Sequence, residues 1–156
     1  MDEIVDHIEL KQSYGMSSIS IATLPRMSRD ALSALLKSTT GADKLAIVDV
    51  RDSDHVGGHI KSSNWVPTST LDVRLPELLR TLKDKEKVVF HCALSQQRGP
   101  SAALRYARER ERTLSPEECQ KQEVYVLEGG FVQWQEKYGK DEQLTEAYVE
   151  DIWQEY

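Results

Sequence analysis

The chain has 156 residues, 39% of them hydrophobic, which suits one domain with a real core and gives no reason to divide it. A formal net charge of −6 argues against nucleic acid or an anionic membrane as the default partner, so any anion site must be local. Two cysteines, Cys92 and Cys119, make no disulfide framework and fit a reduced cytoplasmic or nuclear setting. No apolar run is long enough to span a membrane, and the acidic start Met1-Asp2-Glu3 is unlike a targeting peptide.

In chain order, residues 1–16 carry no hydrophobic period and read as an N-terminal arm to a core of 17–139. Residues 17–22 alternate Ile19 and Ile21 with small polar residues, the pattern of a short edge strand. Ser28 is placed to cap a helix with an apolar face of Ala31, Leu32, Leu35 and Leu36, ending near Gly41. Residues 45–50 are almost wholly apolar, as in a parallel strand covered on both faces. Asp49 interrupts that run. A mid-strand carboxylate needs a partner, either nearby backbone amides or Arg51, and this is favoured over a role as general acid. The following turn holds Asp52, Asp54, His55 and His59. Their spacing matches no metal-ligand pattern, so no metal is expected, and His59 reads as a structural hydrogen-bonding residue.

Asn64 and Trp65 suggest a short strand closed by Pro67. Leu71, Leu75, Leu78, Leu79 and Leu82 then recur at helical spacing, with Pro76 marking a kink or a fresh start. Lys87 to His91 is a β-branched, apolar run suited to a buried strand, and Gly99-Pro100 opens a helix continuing through Tyr106 and Ala107. Ser115-Pro116 begins a short helix bearing Cys119, and nothing places that thiol near Cys92. Glu123 to Leu127 is the last core strand. Gly129-Gly130 turns it into a helix with Phe131, Trp134 and Tyr138 on its core side. Residues 140–156 read as an acidic C-terminal helix packing back through Leu144, Tyr148 and Trp153. A solvated outer face is preferred there over a docking element. Strands alternating with helices give an α/β fold, a mainly parallel five-stranded sheet with helices on both faces.

Chemistry concentrates in the turn between the fourth strand and its helix, Cys92-Ala93-Leu94-Ser95-Gln96-Gln97-Arg98. A strand–loop–helix unit aims loop N–H groups and the positive end of a helix at one point above the sheet. A thiol in that ring, beside a guanidinium, has its thiolate stabilised and becomes a nucleophile at neutral pH. The planar fork of Arg98 can hold two oxygens of a tetrahedral or trigonal-bipyramidal ion, which a lysine cannot match. The alternative, a buried structural thiol and an ordinary surface arginine, is weakened by the absence of any acid within the loop and by Gly-Pro directly after it.

The segments I-V-D-V-R, G-G-H-I, F-H-C-A-L-S-Q-Q-R-G-P and V-L-E-G-G-F, in this order, resemble a rhodanese-like domain. The loop length and the R-G-P ending resemble its branch of mitosis-inducing dual-specificity phosphatases and eukaryotic arsenate reductases. The resemblance implies Cys92 as nucleophile, Arg98 as oxyanion ligand, and the backbone of Ala93, Leu94, Ser95, Gln96, Gln97 and Arg98 as the cradle; its place within the loop suits the Ser95 hydroxyl to donating to the thiolate as a leaving group. It also implies a phosphorylated protein, phosphate or arsenate as ligand. No cofactor is needed for phosphatase chemistry; glutathione with glutaredoxin would be the reductant for arsenate. The mitotic enzymes carry acids in this loop where Ala93, Leu94, Gln96 and Gln97 stand here. That tilts the expectation towards phosphotyrosine-like esters and arsenate, whose leaving groups need less proton donation. Two other readings remain open: a sulfurtransferase with a Cys92 persulfide, and a non-catalytic module binding a phosphorylated partner.

Overall fold

The computed structural model describes residues 19–154. Residues 1–16, read as an arm, lie outside the described residues. In chain order the elements are β1 (Arg26–Met27), α1 (Arg29–Lys37), α2 (Thr39–Asp43), β2 (Leu45–Asp49), β3 (His59–Ile60), β4 (Asn64–Trp65), α3 (Leu71–Thr81), β5 (Lys87–His91), α4 (Arg98–Thr113), α5 (Pro116–Gln120), β6 (Glu123–Leu127), α6 (Gly130–Tyr138), β7 (Thr145–Glu146) and α7 (Glu150–Trp153). Five strands form one parallel sheet in the order β1-β6-β5-β2-β4, and β3 pairs antiparallel with β7 beside it.

The order places β5 in the middle, flanked by β2 in register Asp49 to His91 and by β6 in register Phe90 to Val126. Both neighbours are parallel, so all three strands end on the same edge, where open α/β sheets place their ligands. Alternation along the strands divides the core. Val48, Val88 and Phe90 pack with Leu75 and Leu78 of α3 and Tyr106 of α4, whereas Ile47 and Val89 pack with Leu32 of α1 and Phe131 and Trp134 of α6. Both faces are thus covered, which is why these strands carry almost no polar residue.

Three expectations are corrected. The first strand is not at 17–22: among the described residues, Ser20 to Leu24 form a turn, the amides of Thr23 and Leu24 both bonding the Ser20 carbonyl. The chain joins the sheet only at Arg26–Met27. The Ile19/Ile21 alternation was too short to distinguish a strand from a turn. At the other end, the acidic helix expected over 140–156 is not found among the described residues 140–154; a turn, β7 and the four-residue α7 replace it. Leu144 and Trp153 are nonetheless buried, so the segment does pack back on the core. Finally, of the kink or fresh start expected at Pro76, the fresh start is ruled out, because α3 continues through that residue.

Asp49, at the end of β2, is fully buried and held as expected. Its carboxylate accepts from the Arg51 amide at 3.1 Å and from the Arg51 guanidinium at 2.7–3.1 Å. Arg51 in turn donates to the Gly58 carbonyl at 2.9 Å and lies 4.4 Å over the Phe131 ring. Burial alone would raise the Asp49 pKa, but His91 and Arg51 outweigh it and hold the carboxyl below its ordinary 3.8. Burial also lowers the His91 pKa, leaving it neutral at pH 7, so Arg51 is the partner that matters there. Asp49 is therefore structural and not a proton donor. Because its folded-state pKa is depressed, its contribution is full above the unfolded-state value and lost as pH falls through the folded one. Replacing Asp49 by Ala strands Arg51 and should cost about 3–5 kcal/mol. The check is a drop in the urea midpoint with unchanged slope.

Candidate active site

Residues 92–98 leave β5 at its carboxyl end and enter α4, whose first residue is Arg98. Cys92 is buried at 3% exposure, and its sulfur accepts from the amides of Ser95 at 3.2 Å and Gly99 at 3.3 Å. Ser95 makes this possible by taking a left-handed φ of 56°, an uncommon conformation for a side-chain-bearing residue. Strain of that kind persists only where the surroundings enforce it.

The enforcement is visible in the carbonyls. The Phe131 amide donates to the Cys92 carbonyl at 3.0 Å and the Val132 amide to the Ala93 carbonyl at 2.9 Å, so the first turn of α6 grips the start of the loop. Arg26 on β1 donates to the Ser95 carbonyl at 3.1 Å. In a trans peptide the C=O of one residue and the N–H of the next point in opposite directions. Drawing the carbonyls of Cys92, Ala93 and Ser95 outward therefore turns the amides of Ala93, Leu94 and Gln96 the other way. Among the described residues, the amides of Ala93, Leu94, Gln96 and Gln97 find no protein acceptor.

His91 is fully buried on the opposite side of the sheet from Phe90. Its Nδ1 lies 3.1 Å from the Cys92 carbonyl, while its Nε2 has no hydrogen-bond partner and lies 3.8 Å from the Asp49 carboxylate. The Ser95 hydroxyl was expected to donate to the thiolate as a leaving group; at rest its oxygen accepts from the Cys92 amide at 3.4 Å, and the Ser95 amide meets the sulfur.

Arg98 is where the structure adds most. Its two terminal nitrogens donate to the two carboxylate oxygens of Asp54 at 2.8 and 2.6 Å, and one reaches Asp52 at 3.5 Å. The hydrogen bond from Arg98 is the largest influence holding the Asp54 pKa down, at about 2. Asp52 is held low chiefly by the Thr68 hydroxyl, which lies 2.6 and 2.8 Å from its oxygens. The turn after β2 was weighed for metal ligands, not for partners of Arg98. Strand order carries the missing signal, since residues just beyond Asp49 must face residues just beyond His91 once β2 and β5 are paired in parallel. The other members of that turn serve elsewhere. His55 stacks on Trp65 at 4.4 Å, and His59 lies 3.4 Å from Glu146 across the β3–β7 pair.

Cys119 is remote from this loop. It sits on α5 just before the amino end of β6, whereas Cys92 follows the carboxyl end of the parallel β5, and burial raises its pKa.

A parallel sheet of this strand order, with a cysteine loop leaving the carboxyl end of its central strand, is the rhodanese fold. The chain belongs to the rhodanese-like family: the model of the rhodanese-like domain matches residues 30–137. It is 43% identical over 127 residues to the CDC25-like phosphatase YCH1 of Saccharomyces cerevisiae, covering 74% of this chain and 82% of that one. It is 38% identical over 125 residues to arsenate reductase 2.2 of Oryza sativa subsp. japonica, covering 78% and 83%. Among solved structures, Ygr203w, a yeast protein tyrosine phosphatase of the rhodanese family, superposes with a TM-score of 0.70 at 37% identity, over 87% of this chain and 99% of that one. The As-Sb reductase of Leishmania major gives 0.65 at 32% identity, over 77% and 82%.

Gly130 is the joint on which the carbonyl grip depends. Its φ is +60°, and a Cβ there would lie 2.3 Å from the Ala93 carbonyl oxygen, a backbone atom that cannot step aside without moving the loop. At Gly129, with φ +78°, the nearest atoms a Cβ would meet belong to the flexible Gln133 side chain. Gly130→Ala should therefore destabilise by about 2 kcal/mol or more, and by more than Gly129→Ala. Paired urea titrations read this difference.

Proposed function

We propose that the chain is a cysteine-dependent oxyanion enzyme that hydrolyses tyrosine-type phosphoesters or reduces arsenate. The observation that carries this is the division of the loop: carbonyls tied outward to α6 and β1, and two amides on the Cys92 sulfur. Amides aimed at a negatively charged sulfur stabilise it, and the remaining loop amides are oriented to stabilise charge that develops on the oxygens of a bound ion.

In the phosphatase reaction the Cys92 thiolate attacks phosphorus in line with the leaving oxygen. The sulfur–phosphorus bond forms, the phosphorus–oxygen bond to the substrate breaks, and the released oxygen takes its electron pair. Water then attacks the phosphocysteine, releasing phosphate and returning the thiolate. With arsenate, the same thiolate displaces one oxygen as water and forms a sulfur–arsenic bond. A second thiol, which we assign to glutathione, attacks the Cys92 sulfur, so that the bonding pair passes to arsenic and arsenite departs. The resulting mixed disulfide is reduced by a further thiol, supplied by glutathione or glutaredoxin. Two thiols are oxidised for each arsenate reduced.

The electrostatics support substrates with good leaving groups. Asp52 and Asp54, the carboxyls beside Arg98, both have pKa values below the ordinary range and carry no proton near neutral pH. A phenolate, or an oxygen of arsenate that already bears a proton, departs without a strong general acid; the alkoxide of phosphoserine does not. Accordingly, rates across a series of aryl phosphates should rise steeply as the leaving phenol becomes more acidic, with alkyl phosphates nearly inert. Cys92→Ser should lower aryl phosphatase and glutathione-dependent arsenate reductase activity by about three orders of magnitude or more. Equal turnover of aryl and alkyl esters, or sulfur transfer from thiosulfate to cyanide with neither other activity, would contradict this assignment.

A further inference from the structure

Arg98 meets Asp54 in a particular geometry. Each terminal nitrogen of the guanidinium takes one carboxylate oxygen, the fork-on-fork arrangement by which arginine also holds two oxygens of a phosphate-like ion. Asp54 is not a casual surface partner. One of its oxygens also accepts from the Asp52 amide at 2.9 Å, and Asp52 is fixed by the Thr68 hydroxyl. The carboxylate is thus presented to Arg98 by a turn that is itself pinned. Yet the pair is open to solvent, with the Arg98 and Asp54 side chains 34% and 37% exposed, so a dissolved ion can reach it. Two carboxylates around one guanidinium leave the neighbourhood net negative, an arrangement suited to turning an anion away.

From this geometry we infer that Asp54 is a built-in competitor for the oxyanion site, its carboxylate occupying the Arg98 fork at rest until a tetrahedral ion displaces it. The inference rests on the oxyanion-enzyme reading above and deepens it. The exchange is one of ligands on Arg98: the Asp54 oxygens leave both terminal nitrogens for water, and oxygens of the incoming ion replace them, with no proton transferred. Asp54 stays charged far below neutral pH, so the contact opens by competition between anions and not by titration. The consequence is selectivity. An ion that engages only Arg98 must overcome the carboxylate unaided, whereas an ion that also gains the loop amides has a compensating interaction. Free phosphate, released as product, is held weakly.

The test is the protection of Cys92 from alkylation by iodoacetamide as inorganic phosphate is added, in the full chain, with the modified peptide identified by mass spectrometry so that Cys119 does not contribute. Asp54→Asn keeps the side-chain shape and removes the charge. It should lower the half-protecting phosphate concentration by about tenfold relative to the unmodified chain. Asp54→Ser, which removes the charge with a different side chain, should shift it the same way and serves if the first variant fails to fold. Protection of Cys92 only in the variants would equally support the competitor. If phosphate protects the unmodified chain and the variants bind it no more tightly, Asp54 does not compete, although the oxyanion site stands. Should phosphate protect Cys92 in none of the proteins, the competitor and the oxyanion site are both refuted.

Discussion

The site depends on which way a few peptide groups face. A peptide unit cannot turn its oxygen and its hydrogen to the same side. Once the first turn of α6 and the side chain of Arg26 claim the carbonyls of Cys92, Ala93 and Ser95, the direction of the following amides is decided. The loop is thus oriented by contacts made on its back, by α6 and β1. Gly130 is the narrowest point, because α6 can approach so near the Ala93 carbonyl only without a side chain there.

The buried Asp49–Arg51 pair supports the same arrangement from below. It joins the end of β2 to the Gly58 carbonyl and to the face of Phe131, the residue whose amide grips Cys92. A buried ion pair adds little net stability over an apolar substitute, but it is intolerant of losing one member. Here it fixes the relative position of β2, the turn beyond it and α6. The two chain segments that meet at Arg98 are thereby held to one frame.

Much of this was legible in the residues. Apolar runs located β2, β5 and β6, the Leu spacing located α3, and Ser115-Pro116 located α5, because each pattern is local and strong. The need of Asp49 for Arg51 followed from the cost of an unpaired carboxylate in a strand. The failures were of two kinds. At residues 17–22 and 140–156 the patterns were short, and the structure of their described parts, 19–22 and 140–154, is set by what the segments pack against. At Arg98 the relevant partner is 44 residues away, and only the order of strands in the sheet brings Asp54 to it. A sequence window cannot contain that neighbour. The placing of the Ser95 amide on the sulfur was not legible for a subtler reason: it depends on a left-handed turn, which also brings the side-chain oxygen to the backbone of Cys92.

The turn bearing Asp52 and Asp54 is also closed from its far side. The Trp153 indole and the Val149 amide both donate to the Gly57 carbonyl, at 2.9 and 3.2 Å, and β7 pairs with β3 just beyond. These contacts span 96 residues between Trp153 and Gly57. During synthesis, Cys92 and Arg98 leave the ribosome well before the segment that fastens the acidic turn. The nascent chain therefore passes through an interval in which the Cys92 loop is already made while the last clasp around the facing turn has yet to exist.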